Sequence, residues 1–257
     1  MLNFWISFFV VGFVIASSVY GLARRLSLMA LVDTIWTLGL GLIALAYHRY
    51  AELNSIRSWV VVLLIMIWSF RLSYHLFADR ILLGKEDPRY QALAEYWGKQ
   101  QARNFYFVFL AQVVLVALFF LPVSVAMSRE GAWAWLDMLG VGLAVCAILG
   151  EALADQQLAK FRAQPNHRGA VCRVGLWRYS RHPNYFFEWL HWFGYVLLAA
   201  GAPLAWIGPI AMYVFLRYLT GVPFAERSSL KSRGQAYRRY QSTTNTFFPW
   251  IPRNQSN

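Results

Sequence analysis

Acidic side chains are scarce in this chain. Asp and Glu number 12 among 257 residues, against 24 Lys and Arg, and charged residues of both signs reach only 14%. A soluble domain carries about 25%, so there are too few solvated groups here to cover a globule. Cysteine is scarcer still, with two. Cys146 lies in an apolar run and Cys172 in a basic loop, so both are expected as free thiols at different depths. No Cys or His spacing suits a metal. No basic arm stands clear of the apolar segments, which argues against a nucleic-acid partner. Low-complexity stretches and internal repeats are lacking as well. The stretch from Gly39 to Ala44 matches a dinucleotide fingerprint in form, but no strand precedes it and it sits inside an apolar run, so that reading is excluded.

What fills the chain instead is apolar sequence, 58% of it, gathered in long runs. A hydrocarbon core about 30 Å thick needs roughly 18 or more such residues per helix. The runs predict an all-α, polytopic membrane bundle. It forms a single domain over 1–257, with about seven spans at 2–23, 28–47, 58–77, 105–127, 134–154, 186–202 and 203–220 and a tail at 221–257. The first run is too long for a signal-peptide core and lacks a basic start, so it reads as a retained helix. Gly201-Ala202-Pro203 is a stop signal between the last two spans. The loops after odd-numbered spans, with the tail, hold nineteen Lys and Arg, whereas the opposite side holds Arg49, Arg57 and Arg129. That bias predicts a cytoplasmic C-terminus. With no eukaryotic retention signal in the chain, a bacterial inner membrane is expected. The two long loops, 78–104 and 155–185, are expected to be ordered against the helix ends.

Charges inside spans are costly and usually face a cavity or a partner. Asp33 lies in span 2 with Trp36 close by. Arg71 lies in span 3 with Tyr74 and His75 on its face. Glu151 ends span 5, and Asp155 and Arg162 continue its stripe if that helix runs on. Asn184, Glu188 and His191 share one face of span 6, and Arg217 lies near the end of span 7. Structural pairing, such as Asp33 with Arg71, is one reading of any single member. Their clustering toward one set of helix ends favours a polar cavity.

Three stretches outside the spans carry further chemistry. They are Glu86-Asp87-Pro88-Arg89-Tyr90, the segment Gly175 to Glu188, and Glu226-Arg227 followed by Tyr237, Tyr240 and Phe247 to Trp250. Arg178, Arg181 and His182 precede Pro183 at a helix start, where free N–H groups already favour anions. Arg adds bidentate phosphate contacts. Tyr179, Tyr185, Tyr237 and Tyr240 offer rings and hydroxyls, and Asn184 and Glu188 suit an amide or ribose. The set fits a nucleotide cofactor whose phosphates stay outside the bilayer. An anionic-lipid surface with helix caps fits it equally.

The pairing of the 86–90 and 177–185 stretches resembles the uncharacterised membrane proteins grouped with the steroid 5-alpha-reductase C-terminal domain, over most of the chain. The resemblance implies a seven-helix bundle that binds NADPH and reduces a carbon–carbon double bond conjugated to a carbonyl in a lipid or steroid-like substrate. Carried over residue by residue, Asn184 and Glu188 match the Asn-x-x-x-Glu that holds the nicotinamide end. Asp155 and Arg162 match the pair at the adenosine-phosphate end, and Arg217 and Tyr240 match further cofactor contacts. Arg227 and Tyr237 join this cofactor set. The reductases' Gln-Glu pair in span 2 is missing. Asp33 stands in that region as the expected proton donor, if protonated, with Tyr74 and His75 as catalytic partners and Trp36 and Arg71 as substrate contacts. Two other readings remain open. One is an S-adenosylmethionine-dependent methyltransferase of the isoprenylcysteine carboxyl type, which carries a similar Arg-His-Pro-x-Tyr. The other is a non-catalytic lipid-binding protein. Membrane lipids are expected partners, and no obligate protein partner is. A reporter fused to the C-terminus is expected to behave as cytoplasmic: a green fluorescent protein fusion bright, an alkaline phosphatase fusion inactive. The reverse pattern would overturn the orientation.

Overall fold

The computed structural model describes residues 1–253 except 79–81, 83, 85 and 168. Among the described residues it is all-helical: α1 Leu2–Leu26, α2 Leu31–Tyr50, α3 Ile56–Leu76, α4 Pro88–Trp97, α5 Gln101–Ser128, α6 Trp135–Ala163, α7 Pro183–Leu198, α8 Ile207–Val214 and α9 Val222–Thr243. Six helical stretches are long and apolar enough to cross a membrane. α7, the sixth expected span, is shorter. Pro183 starts it, and its 16 residues rise roughly 24 Å. The seventh expected span is broken into a short 3-10 turn at Pro203–Trp206, α8 and a π-turn at Phe215–Leu219. α6 runs on to Ala163 rather than ending at 154.

Two compact units divide the chain. The first holds Met1–Asp137 with Leu198–Ile207, built on α1, α2, α3 and α5. α2 and α3 pack along a seam of small polar residues. The Ser69 hydroxyl donates to the Thr37 carbonyl at 2.5 Å, and the Thr37 and Ser73 hydroxyls lie 2.6 Å apart. A Cβ on Gly41 would come within 2.6 Å of Ser69 Oγ, so only glycine permits this approach. Small residues allow helix backbones to approach in lipid, where no hydrophobic force drives helices together. Aromatic rings fill the rest of the seam, with Trp36 against Trp68 and Phe119, and Tyr47 against Phe120. α1 keeps most of its surface outward, with only Phe4, Ala16, Tyr20 and Ala23 buried.

At one end of this unit two arginines share one carboxylate. The Arg57 side chain is 2% exposed and Asp137 is fully buried. Arg57 grips Asp137 with two bonds of 2.8 and 3.0 Å and donates to the carbonyls of Arg129 and Ala132. Arg129 reaches the same Asp137 at 3.0 Å. Asp137 also accepts from the Ala134 N–H, which leads into α6. The α5–α6 turn is thus pinned to the start of α3.

The second unit holds Met138–Leu197 and Gly208–Asn257. Here α6 and α7 form an antiparallel pair. Gly194 meets Gly140 and Ala144, Phe187 lies over Gly150, and Asn184 meets Asp155. The Trp177 indole donates to the Ala154 carbonyl at 2.9 Å and Leu176 N–H to Gln157 at 2.9 Å, fastening the 3-10 turn Gly175–Arg178 back onto α6.

Breaking a buried ion pair from one side leaves an uncompensated charge and costs about 3–5 kcal/mol. Asp137→Ala, which strands two guanidinium groups, is expected to lower the melting temperature in detergent much more than Arg129→Ala, which leaves the Arg57–Asp137 pair intact. Equal melting temperatures for the two variants would refute the pinning role.

Candidate functional site

The second unit contains a polar stripe inside apolar helices. On α6 it is Glu151, 4% exposed, and Asp155, 8% exposed. On α7 it is Asn184, Glu188, His191 and Tyr195, spaced so that all lie on one face. Glu188, His191 and Tyr195 are buried. Asn184 Nδ2 donates to Asp155 Oδ1 at 3.2 Å, the Trp192 indole reaches Glu188 at 3.4 Å, and Tyr195 Oη lies 3.0 Å from His191 Nε2. The Asn184 Oδ1 atom is buried and accepts no hydrogen bond among the described residues. Buried acceptors are almost always satisfied, so this one is open to a donor from a ligand. The sequence puts Asn184 and Glu188 on one face and Asp155 with Arg162 at the opposite end of a cofactor, whereas the structure joins Asp155 directly to Asn184. Glu151 and His191, seen in the spans but assigned no role, belong to the stripe too.

Below the stripe lies a clasp built on Glu226. The Arg181 Nε donates to Glu226 at 2.6 Å, His182 Nε2 lies 3.4 Å from the same oxygen, and Gln241 donates to the other at 2.9 Å. Arg181 also donates to the carbonyls of Gln241 and Thr244 and to the Thr246 hydroxyl. Four of its five N–H groups are therefore spent within the chain, and the side chain is 9% exposed. Tyr240, 2% exposed, donates to the carbonyls of Trp177 and Ser180. Both residues, expected at a cofactor, bind α9 and the tail to the segment before α7. His182 is buried and stacks on Tyr185, rings 5.3 Å apart and 7° from parallel. Burial drives the His182 imidazole below its usual value, Glu226 pulls it back, and Arg181 and Arg217 press it down again. Burial raises the Glu226 carboxyl, but hydrogen bonds from His182 and Arg181 outweigh that and hold it at about 2.

A third group is cationic. Arg162 and Arg233 both act on the buried Cys172 thiol, which burial pushes up and their charges push down. Burial and the nearby Arg162 charge press the Arg233 guanidinium below its ordinary value. Arg173 stacks over the Tyr240 ring at 5.2 Å. Cations gathered in this way raise the local positive potential. Arg173 belongs to the arginine cluster that the sequence offers for phosphates, but Arg233 was not singled out, because nothing in local sequence ties the tail helix to Arg162. Arg168 lies outside the described residues. Arg178 and Arg227 are exposed, as is Tyr179. Arg217 is half-buried on the π-turn and lies over the Tyr218 ring, and Tyr237 is buried beside Tyr240.

The first unit gathers Asp33 with the 86–90 stretch. Asp33 accepts from Arg89 Nη2 at 2.5 Å and from Tyr90 Oη at 2.6 Å. Glu86 caps the start of α2 by accepting from the N–H groups of Met29 and Ala30. Asp87 caps α4, accepting from Arg89 N–H at 2.8 Å, with Pro88 in the first helical turn. The stretch is thus a fastener between the start of α4 and the start of α2. Asp33, expected as a proton donor, is held by a guanidinium and a phenol. Tyr74 is 72% exposed on the outer side of α3, away from the seam. Arg71 and His75 are half-buried one helical turn apart, and Trp36 packs between Trp68 and Phe119.

The fold and its apolar helices define a polytopic α-helical membrane protein. The model of a family described as protein of unknown function DUF1295 matches residues 19–244, and the chain belongs to that family. It is similar to an uncharacterised protein of Schizosaccharomyces pombe, 26% identical over 279 residues, covering 94% of this chain and 79% of the relative. No solved structure matches.

The Glu226 clasp carries a pH dependence. A carboxylate whose folded value lies below its usual 4.5 stabilises fully above that value and loses its contribution as pH falls toward about 2. Buried His182, also lowered, weakens the fold in the same acidic direction. Limited proteolysis of the tail is expected to accelerate between those limits. Glu226→Gln is expected to flatten that acid response and to raise cleavage at neutral pH, and an unchanged profile would contradict the clasp.

Proposed function

We propose that this chain is an NADPH-dependent reductase of a carbon–carbon double bond conjugated to a carbonyl in a lipid or steroid-like substrate. The observation that carries the reading is the buried, unsatisfied Asn184 Oδ1 within the stripe of α6 and α7, in the same unit as the Arg162, Arg173 and Arg233 cations. Asn184 and Glu188 would hold the carboxamide end of the cofactor, and the cationic group would take its phosphates. A reduced nicotinamide supplies a hydride when bound. The apolar walls of α6 and α7 exclude water, which strengthens each electrostatic contact within. Reduction also consumes a proton, and the buried His191–Tyr195 pair is able to hold one. The apolar exterior suits a substrate that arrives through the bilayer.

A methyltransferase reading explains the cationic cluster less well, because S-adenosylmethionine has no phosphate. The ion-paired Asp33 favours a structural role for that residue, and a non-catalytic lipid binder stays in view on that account.

Titration of purified protein with NADPH, S-adenosylmethionine and NADH separates these readings. Wild type is expected to bind NADPH. Asn184→Ala and Arg162→Ala/Arg233→Ala are expected to weaken it roughly ten- to hundredfold, the scale of losing hydrogen bonds to charged groups. Tyr74→Phe, on the exterior, is expected to leave it unchanged. Helical content by circular dichroism guards against misfolding. Wild-type affinity in both the Asn184 and the arginine variants would sink the proposal.

A further inference from the structure

A groove of about 420 Å3 opens in the first unit between Tyr47, Ser124, Val125, Ser128, Arg129, Ala199 and Ala202. It lies where α2 and α5 end and α3 begins, at the end of the bundle that also holds the Arg57–Asp137 pair. Its lining is mixed. Val125, Ala199 and Ala202 are small and apolar. Ser124, Ser128 and Tyr47 bring hydroxyls, and the Tyr47 and Ser128 hydroxyls lie 3.2 Å apart.

Within the hydrogen-bonded group of Arg57, Asp137 and Arg129 the charges are uneven. Glu52 and Glu130 stand exposed nearby in sequence and make no hydrogen bond to Arg129 through their side chains among the described residues. Asp137 has its carboxylate saturated by four donors: Nε and Nη2 of Arg57, Nη1 of Arg129 and the Ala134 N–H. Arg57 is consumed by that carboxylate and by backbone carbonyls. Two guanidinium groups therefore share one negative charge, and the surplus belongs to Arg129. Its Nη1 donates to Asp137 and to the Leu198 carbonyl at 3.1 Å. Nε and Nη2 make no hydrogen bond among the described residues. They form the edge of a guanidinium that matches two phosphate oxygens side by side. The side chain is 22% exposed, which leaves it open to a ligand while its Nη1 end is fixed. A helix-end position in a chain that crosses a bilayer is the depth of lipid headgroups.

We infer that this groove binds the phosphate of an anionic phospholipid, with Arg129 as its anchor, the Ser124 and Ser128 hydroxyls beside it, and the first acyl carbons against Val125, Ala199 and Ala202. A zwitterionic lipid carries its own ammonium close to the phosphate and competes with Arg129 for it. A headgroup without that cation leaves the surplus guanidinium charge to be neutralised. The site is independent of the α6–α7 stripe and of any cofactor there.

Native mass spectrometry of the purified full chain, with phosphatidylglycerol, phosphatidylcholine or inorganic phosphate added, tests this. Wild type is expected to hold phosphatidylglycerol roughly tenfold or more above phosphatidylcholine. Arg129→Gln is expected to abolish that preference. Ala202→Trp, which fills the groove and leaves every charge in place, is expected to abolish it too. This second variant decides the matter if the first fails to fold. Preference for phosphatidylglycerol retained in Ala202→Trp, or no preference in wild type, would overturn the inference. So would inorganic phosphate competing on equal terms, since the site would then belong to a free anion.

Discussion

Hydrocarbon offers no hydrogen bonds, and the arrangement of polar groups in this protein follows from that constraint. A polar side chain on a membrane helix must find its partner inside the protein. The α2–α3 seam answers it with hydroxyls bonded to one another and to a carbonyl, and with a glycine that lets the backbones approach. The Arg57–Asp137–Arg129 group answers it with a saturated carboxylate. On α6 and α7 the same rule makes the open Asn184 oxygen informative. In the proposed reading, that buried acceptor is where a ligand donor would bind.

The motifs most distinctive in the sequence prove to be fasteners. Glu86 and Asp87 cap two different helices, and Arg89 and Tyr90 hold Asp33 in α2. Arg181, in the Arg-His-Pro-Asn-Tyr stretch, spends most of its donors on Glu226 and on carbonyls of the tail. Fastening and binding are compatible, because a ligand cradle built from loops and a tail needs those segments held in register. The clasp positions His182, Tyr185 and Asn184 at the start of α7. Arg233 fastens as well, donating to the Ala170 carbonyl and the Ser229 hydroxyl, and with Arg162 and Arg173 it forms the cationic group of the proposed cofactor site.

The candidate site was partly legible in the sequence. Helical spacing placed Asn184, Glu188 and His191 on one face, because the spacing of 3.6 residues per turn is a local property. The continuation of α6 past the membrane toward Asp155 and Arg162 was equally local. The partners of Asp33 and Arg181 were not legible. Arg89 lies 56 residues from Asp33, and Glu226 lies 45 residues from Arg181. Sequence spacing carries no information about which of several charges meets another across such a distance. For the same reason the sequence offered Arg71 only as an example of a partner for Asp33, and Arg233 was passed over.

Composition and hydropathy alone determined that the chain is helical and membrane-embedded, since bilayer thickness fixes the length of an apolar run and hydrogen bonding within it fixes the helix. They also determined the asymmetry of basic residues between the loops. Only the tertiary structure decided which polar residues are consumed in holding the protein together and which stay available. That depends on how many donors and acceptors meet at one point, and the count is set by packing between helices far apart in the chain.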